Sequence, residues 1–428
     1  MRAGVAIVVA SIALATSPAA GALQCTPKPD NPVGYQVTAV HADEVQQPAT
    51  TPPIAVLDSG IADVPELAGR IRTGVNVTTG GQNTADTDGH GTAVATIAAG
   101  QAGGVRGVSP ATPIIPIKIH NARGESTAAW VVDGIQQALE LGAGVINISS
   151  TGPVEGTHPA DDRAVRAAID DAVTRGVPVV TPSGNEGSPK LDIPSSYPHV
   201  IAVGASDQSN LKASFSNTGA GLDVVAPGVG IVTAAPSFIC SSGYSLVSGT
   251  SFSAPAVAGA IALLEAAHPG LDTTQLTDML RLHGARTPAP AWNPDTGFGL
   301  LDVPAVLAAP LPPADAPEVD DDVSWAKRHS PVLTASRRAT AISARVATHT
   351  DPADVFRVRL RKGDSFAATL SAPGATLVLA LRNATKVIKS AKAGKLALRI
   401  RRAGTYYVTV TVKKTPPAGV DYALKLRR

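Results

Sequence analysis

From Pro53 onward the chain repeats one pattern, a short apolar run, a break of small or polar residues, then a helical stretch. The apolar runs are Ile54–Leu57, Ile114–Ile119, Gly144–Ile148, Val177–Val180, Val200–Val203 and Leu222–Val225. Ala128–Leu141 and Asp161–Arg175 are helical stretches between them. Strands without polar alternation are buried on both faces, and a parallel sheet covered by helices on both sides supplies that burial. The pattern predicts a doubly wound α/β fold, in which sites form beyond the carboxyl ends of the strands. Asp58 and Asn147 stand at such ends, and Ser183 to Asn185 follow shortly after another. Taken singly, each is an ordinary loop-capping residue.

The chemistry gathers around Val247-Ser248-Gly249-Thr250-Ser251-Phe252-Ser253-Ala254-Pro255, which runs into the apolar stretch Ala256–Ala267. Val257, Ile261 and Leu264 recur there at helical spacing, and Pro269-Gly270 ends the helix. Ser251 falls in the first turn, where unpaired N–H groups favour negative charge. A serine at this place is more often a helix cap than a nucleophile, because its hydroxyl attacks only when a base takes its proton. Two upstream segments supply the missing groups. Ile54–Gly60 is a strand carrying Asp58 at its end, and Asp88-Gly89-His90-Gly91-Thr92 sets a histidine before the small-residue helix Thr92–Ala99. The order along the chain is Asp, His, Ser, one of the orders in which such a triad occurs.

With these three motifs and Ser183-Gly184-Asn185 between them, residues from about 50 to 308 resemble the subtilisin-like serine proteases, the subtilases. The resemblance implies a peptidase domain over 51–308 with a doubly wound parallel sheet. In it His90 takes the Ser251 proton and Asp58 holds the imidazole in the required tautomer. It also implies that the Asn185 amide and the Ser251 backbone N–H receive the oxyanion of the tetrahedral intermediate. Subtilases pair the substrate backbone with an edge strand that follows an N-x-S motif, here Asn147-Ile148-Ser149. That assigns Ser149, Ser150 and Thr151, with Ser183 and Gly184, to substrate binding. Thr151 stands where the family usually has glycine, so a narrowed pocket is expected for the residue preceding the cut. The loop Gly100–Val105 lacks the Asn and Asp side chains with which many subtilases hold calcium, and Asp86 and Asp88 read as turn residues. No cofactor is expected; structural calcium stays open as an alternative that these residues do not indicate.

Residues 1–22 read as a secretory signal peptide: Arg2, an apolar core from Val5 to Leu14, and Ala20-Gly21-Ala22 as the cleavage site. The core is too short to span a bilayer, and no later stretch reads as a transmembrane anchor. The chain is therefore expected outside the cell, free or held at the surface. Its two cysteines, Cys25 and Cys240, most simply form one disulfide there, the alternative being two free thiols. Residues 23–50 read as a short N-terminal arm or pro-region without a clear core pattern.

Residues 309–322 form a Pro-rich acidic linker, and a basic connecting stretch extends it to 350. Residues 351–428 read as a small β-sandwich: Val355–Leu360 alternates, Lys362-Gly363-Asp364 is a turn, and Tyr406–Val412 is β-rich. The order of these motifs resembles the pre-peptidase C-terminal domain of secreted bacterial peptidases, with a generic β-sandwich as the alternative. From Val323 onward 22 Lys and Arg face four acids, a formal +18, and the rest of the chain is −16, since the whole is +2. Such a tail points to an anionic cell-surface polymer, to docking on the acidic body, or to a solvated face without a partner. Export argues against nucleic acid. The remaining partner is the peptide or protein substrate. The competing reading is a catalytically silent scaffold on the same fold.

Overall fold

The computed structural model describes residues 23–101, 103–150, 159–283, 292–312, 331–346, 353–372, 376–392, 394–414 and 420–428. The signal-peptide segment, Thr151 and most of the acidic linker lie outside the described residues.

The six apolar runs are joined by the two-residue β3 (Val75–Asn76), which the sequence reading did not include, in one seven-stranded parallel sheet. Its members are β2 (Ile54–Asp58), β3 (Val75–Asn76), β4 (Ile114–Lys118), β5 (Val145–Ile148), β6 (Val179–Pro182), β7 (Val200–Ser206) and β8 (Leu222–Pro227), in the order β3-β4-β2-β5-β6-β7-β8. Within the sheet the chain starts at β2, passes to the edge strand β3, inserts β4 between them, and then adds β5 to β8 in turn on the other side of β2. The switch between β2 and β5 opens a crevice at their carboxyl ends, where a doubly wound sheet takes its ligand.

Residues alternate between two cores along each strand. Ile54, Val56, Val145 and Val180 face one side, with α2 (His90–Ala99) and α5 (Thr250–Ala267). Ala55, Leu57, Ile146 and Val179 face the other, with α3 (Ala128–Glu140) and α4 (Pro159–Thr174). The first pair of helices is built from small apolar residues all round and is wholly buried over most of its length, as such composition requires. Gly259 of α5 lets the two helices meet closely: a Cβ there would stand 3.0 Å from the Ala98 carbonyl oxygen. Among the described residues α5 is the one helix long and apolar enough to cross a bilayer, and it is buried at the centre of the protein.

Two stretches differ from the sequence reading. The 23–50 segment, expected to lack a core pattern, is built into the body. Val37 and Val40, in and just after the short helix α1 (Tyr35–Thr38), pack with Ala42 in the first core. β1 (Gln24–Cys25) pairs antiparallel with β10 (Tyr244–Val247), which also pairs with β9 (Ile231–Ala234). Cys25 and Cys240 form a disulfide. The second difference lies at the start of the β-sandwich. Part of the stretch read as connecting is the strand β11 (Ala339–Val346), and Leu333 is buried in the sandwich core. Single-strand alternation is weak there because polar Thr340 takes an inward place and apolar Ala339 and Ala341 take outward ones; pairing with β18 (Val420–Arg427) supplies the order.

The sandwich has two antiparallel sheets. One runs β11-β18-β13-β16, with β13 (Ser365–Ser371), β16 (Lys395–Arg399) and β18 (Val420–Arg427). The other runs β12-β17-β14-β15, with β12 (Ala353–Leu360), β14 (Thr376–Arg382), β15 (Val387–Lys392) and β17 (Gly404–Lys414). Inward Phe356, Val358, Phe366, Leu379, Val410 and Leu424 fill the space between them. Two short helices, α6 (Thr273–His283) and α7 (Val303–Leu307), complete the α/β body.

Candidate active site

Asp58 ends the buried strand β2, His90 is the first residue of α2, and Ser251 is the second residue of α5. Packing of α2 against α5 over the sheet switch brings the three together. His90 Nδ1 lies 2.9 and 3.0 Å from the two Asp58 carboxylate oxygens, and its Nε2 lies 3.0 Å from Ser251 Oγ. The Asp58 carboxylate is fully buried, while the His90 side chain keeps 17% exposure. Burial alone would raise the Asp58 carboxyl, but His90 beside it outweighs this and holds it below its ordinary value. Burial would likewise lower His90, and the Asp58 carboxylate outweighs it, leaving the imidazole above its ordinary value. Phe252 covers the imidazole with ring centroids 4.9 Å apart.

Polar groups that the motifs did not announce hold this geometry. Asp86, read as a turn residue, is a buried hub. Its carboxylate accepts the backbone N–H of Asp88, Gly89 and Thr92 and the hydroxyls of Ser59 and Thr92. It thereby caps α2, whose own N-cap residue Gly89 has no side chain to do so. Lys118, buried at the end of β4, donates to the Ser59 and Ala85 carbonyls and supports the same turn.

A second support follows from a covalent fact. Pro255 has no N–H, so the Ser251 carbonyl four residues earlier loses its helical partner. The Ser149 hydroxyl donates to that carbonyl at 3.0 Å, and the Asn147 amide donates to Ser149 at 2.8 Å. The N-x-S motif at the end of β5 therefore repairs the helix that presents Ser251.

Asn185 accepts the Thr250 N–H and hydroxyl through Oδ1, both at 2.9 Å. With the carbonyl side fixed in this way, its amide NH₂ has no protein acceptor among the described residues. Gly184 before it has φ +110°, and a Cβ would meet Asn217 Nδ2 at 2.1 Å, so only glycine fits. Ser149 and Ser183, expected at the substrate, turn their hydroxyls into the protein; Ser183 is fully buried beside Ser216. Ser150 does face open space. It binds His120 Nε2 at 3.0 Å on the wall of a cavity of about 350 Å³ that Ile148, Val131, Asp161 and Asp162 also line. His120 carried no motif. Burial, the largest cause, lowers its imidazole below the ordinary value, with Asp58 opposing. Among the described residues no group of three or more His, Cys, Asp or Glu side chains forms a metal cage.

A hydroxyl, an imidazole and a buried carboxylate hydrogen-bonded in series beside a helix N-terminus can carry out acyl transfer, the chemistry of serine hydrolases. The Subtilase family model matches residues 50–299. Subtilisin Savinase of Lederbergia lenta is 39% identical over 230 residues, covering 53% of this chain and 81% of that protein. The alkaline protease of Shouchella clausii is 39% identical over 230 residues, covering 53% of this chain and 57% of that protein. The crystal structure of a cold adapted subtilisin-like serine proteinase matches with a TM-score of 0.53 and 28% identity, covering 60% of this chain and 91% of that one. The chain belongs to the subtilase family and is a subtilisin-like serine endopeptidase.

Proposed function

We propose that the protein is a secreted endopeptidase in which Ser251 is the nucleophile, His90 the general base and acid, and Asp58 the carboxylate that orients it. The observation that carries this is the placement of His90 between Asp58 and Ser251 at hydrogen-bond distance on both sides. Ser251 Oγ bonds to the scissile carbonyl carbon as its proton passes to His90 Nε2. The C–N bond then breaks as that proton goes to the leaving amine. Water repeats the sequence on the acyl-enzyme, releasing the carboxylate product and restoring Ser251. Asp58 stays ionised and stabilises the imidazolium. The Asn185 amide and the Ser251 N–H donate to the oxyanion, and each hydrogen bond strengthens as charge develops. Every step uses side chains and backbone of this chain, with no cofactor.

The enzyme works outside the cell. The 1–22 segment carries the export pattern, and a disulfide suits an oxidising compartment. There its basic C-terminal region holds it to anionic polymer. A fluorophosphonate probe tests the chemistry: it should label Ser251, and Ser251→Ala should lose both label and peptide hydrolysis while keeping its melting temperature. A purified, folded protein that takes no label would make it a silent scaffold instead.

A further inference from the structure

The β-sandwich carries a groove of about 810 Å³ at the end where the β14–β15 and β16–β17 turns meet. Lys386, Arg399, Arg401 and Arg402 line it, and all four side chains are exposed. Among the described residues no acid lines it, and none of the four cations pairs with a described carboxylate. The one acid in the turn before β13, Asp364, is taken by Arg428 at 2.9 Å. The wall is apolar: Ile388, 42% exposed, lines it with Leu398 and the ring of Tyr406.

The turns that present the cations are rigid. Asn383 Oδ1 accepts the N–H of Thr385 and of Lys386, which fixes the first turn. The Tyr406 hydroxyl donates to the Arg402 carbonyl at 2.6 Å, which ties the second turn to its own strand. Four uncompensated cations around an apolar wall form a receptor for an anionic chain that also has apolar faces.

Two classes of chain fit poorly. An acidic peptide would bind by adding a strand to β15 or β16, which are both edge strands. Lys389 blocks that route by donating from β15 to the Ala397 carbonyl of β16 at 2.8 Å. Single-stranded nucleic acid would need a series of aromatic platforms, and the groove offers one ring. A polymer of sugar rings bearing spaced carboxylate or phosphate groups meets both requirements, its ring faces on Ile388 and Tyr406 and its charges on the arginines.

We propose that this groove binds an acidic glycan and is the site through which the basic region retains the enzyme at an anionic surface. The proposal rests on the surface-retention reading above and locates it at named residues.

The test uses the full chain carrying Ser251→Ala, to prevent self-digestion, at low salt. The probes are polygalacturonate, which carries carboxylates, and phosphomannan, which carries phosphates, with dextran as the neutral control. Both anionic glycans, or one of them, should bind, dextran should not, and the stronger of the two names the anion. The triple variant R399Q/R401Q/R402Q should weaken binding at least tenfold. A control triple, R359Q/K425Q/R427Q, removes the same charge from exposed positions outside the groove and should change binding less than threefold. R401E alone, a single surface change, should weaken binding at least threefold. Equal losses in the two triples would overturn the groove while leaving surface retention in place. No binding of either glycan by the full chain would overturn both. Tighter binding of duplex DNA than of both glycans would overturn the assignment of the ligand.

Discussion

The two faces of the parallel sheet solve the same burial problem in different ways. On the face away from the site, α3 and α4 are ordinary amphipathic helices, with Ile135, Val165 and Ile169 inward and Asp133, Gln136 and Asp171 outward. On the site face, α2 and α5 are buried almost all round, rich in Ala, Gly, Ser and Thr with Ile97, Phe252, Ile261, Leu263 and Leu264 among them, and carry His90 and Ser251 in their first turns. Ordinary helices tolerate exchange on their wet side. The site helices have almost no wet side, so the position of each depends on backbone contact and on side chains from elsewhere, as Asp86 and Ser149 show. The difference teaches that precision at this site comes from close backbone packing plus a few buried hydrogen bonds.

The strongest attempt to break that comparison is to cut the staple beside the site. The bridge joins residues 215 apart, next to the strand that leads to Ser251. Closing such a loop is worth on the order of 5 kcal/mol in the chain-entropy account. Reduction should lower the melting temperature by several degrees, and calorimetry with and without reductant measures it. An unchanged transition would show that packing alone holds this face.

Next in size, Asn185→Ala should lower kcat by about 10²–10³, the loss that one such donor brings in the relative subtilisin, with KM little changed. Steady-state kinetics on a short peptide would decide, and equal effects on both constants would make Asn185 a ground-state binder. Exchanging Asp133 to Ala on the opposite face should leave both constants within about twofold, as surface changes generally do.

A glycine at the contact of the two site helices sharpens the contrast further. Gly259→Ala in α5 puts a Cβ 3.0 Å from the Ala98 carbonyl oxygen and 3.1 Å from the Val108 Cβ, groups with little room to give. Alanine favours the helix by about 1 kcal/mol. The expected outcome is still a net loss of about 1–3 kcal/mol, read by denaturant titration. A neutral or stabilised variant would show that the site helices do not depend on close backbone contact.

The smallest effect is a displacement on the pH axis. Attack needs neutral His90, and Asp58 raises the imidazole above its ordinary value of 6.5. The neutral form therefore appears at higher pH, and kcat/KM should rise with pH through a limb centred above 6.5. Asp58→Asn should move that limb to lower pH while cutting the rate. A limb that stays in place would detach Asp58 from the base.

Much of this was legible before any coordinates. The six apolar runs could be strands of one covered parallel sheet because a strand lacking polar residues has no other stable place. Asp58, His90 and Ser251 were legible because glycines and small residues crowd around each where backbone must approach closely. The alternation of Val355–Leu360 announced the sandwich, whereas β11 escaped because its pattern is broken and only β18 completes it.

Composition and local pattern thus determined the main strands and helices of the two parts and their opposed charges, since these follow from residue type and spacing, and the motifs around Asp58, His90 and Ser251 marked the candidate site through their resemblance to the subtilases. Tertiary structure decided the supports. That Ser149 serves the Ser251 carbonyl, that Asp86 caps α2, that residues 23–50 enter the core, and that four cations share one groove all depend on which segments meet in space. A hydrogen bond across 102 residues leaves no periodic trace in the chain. Its partners are chosen by the fold, because a buried polar group must be satisfied by whatever the packing brings within reach.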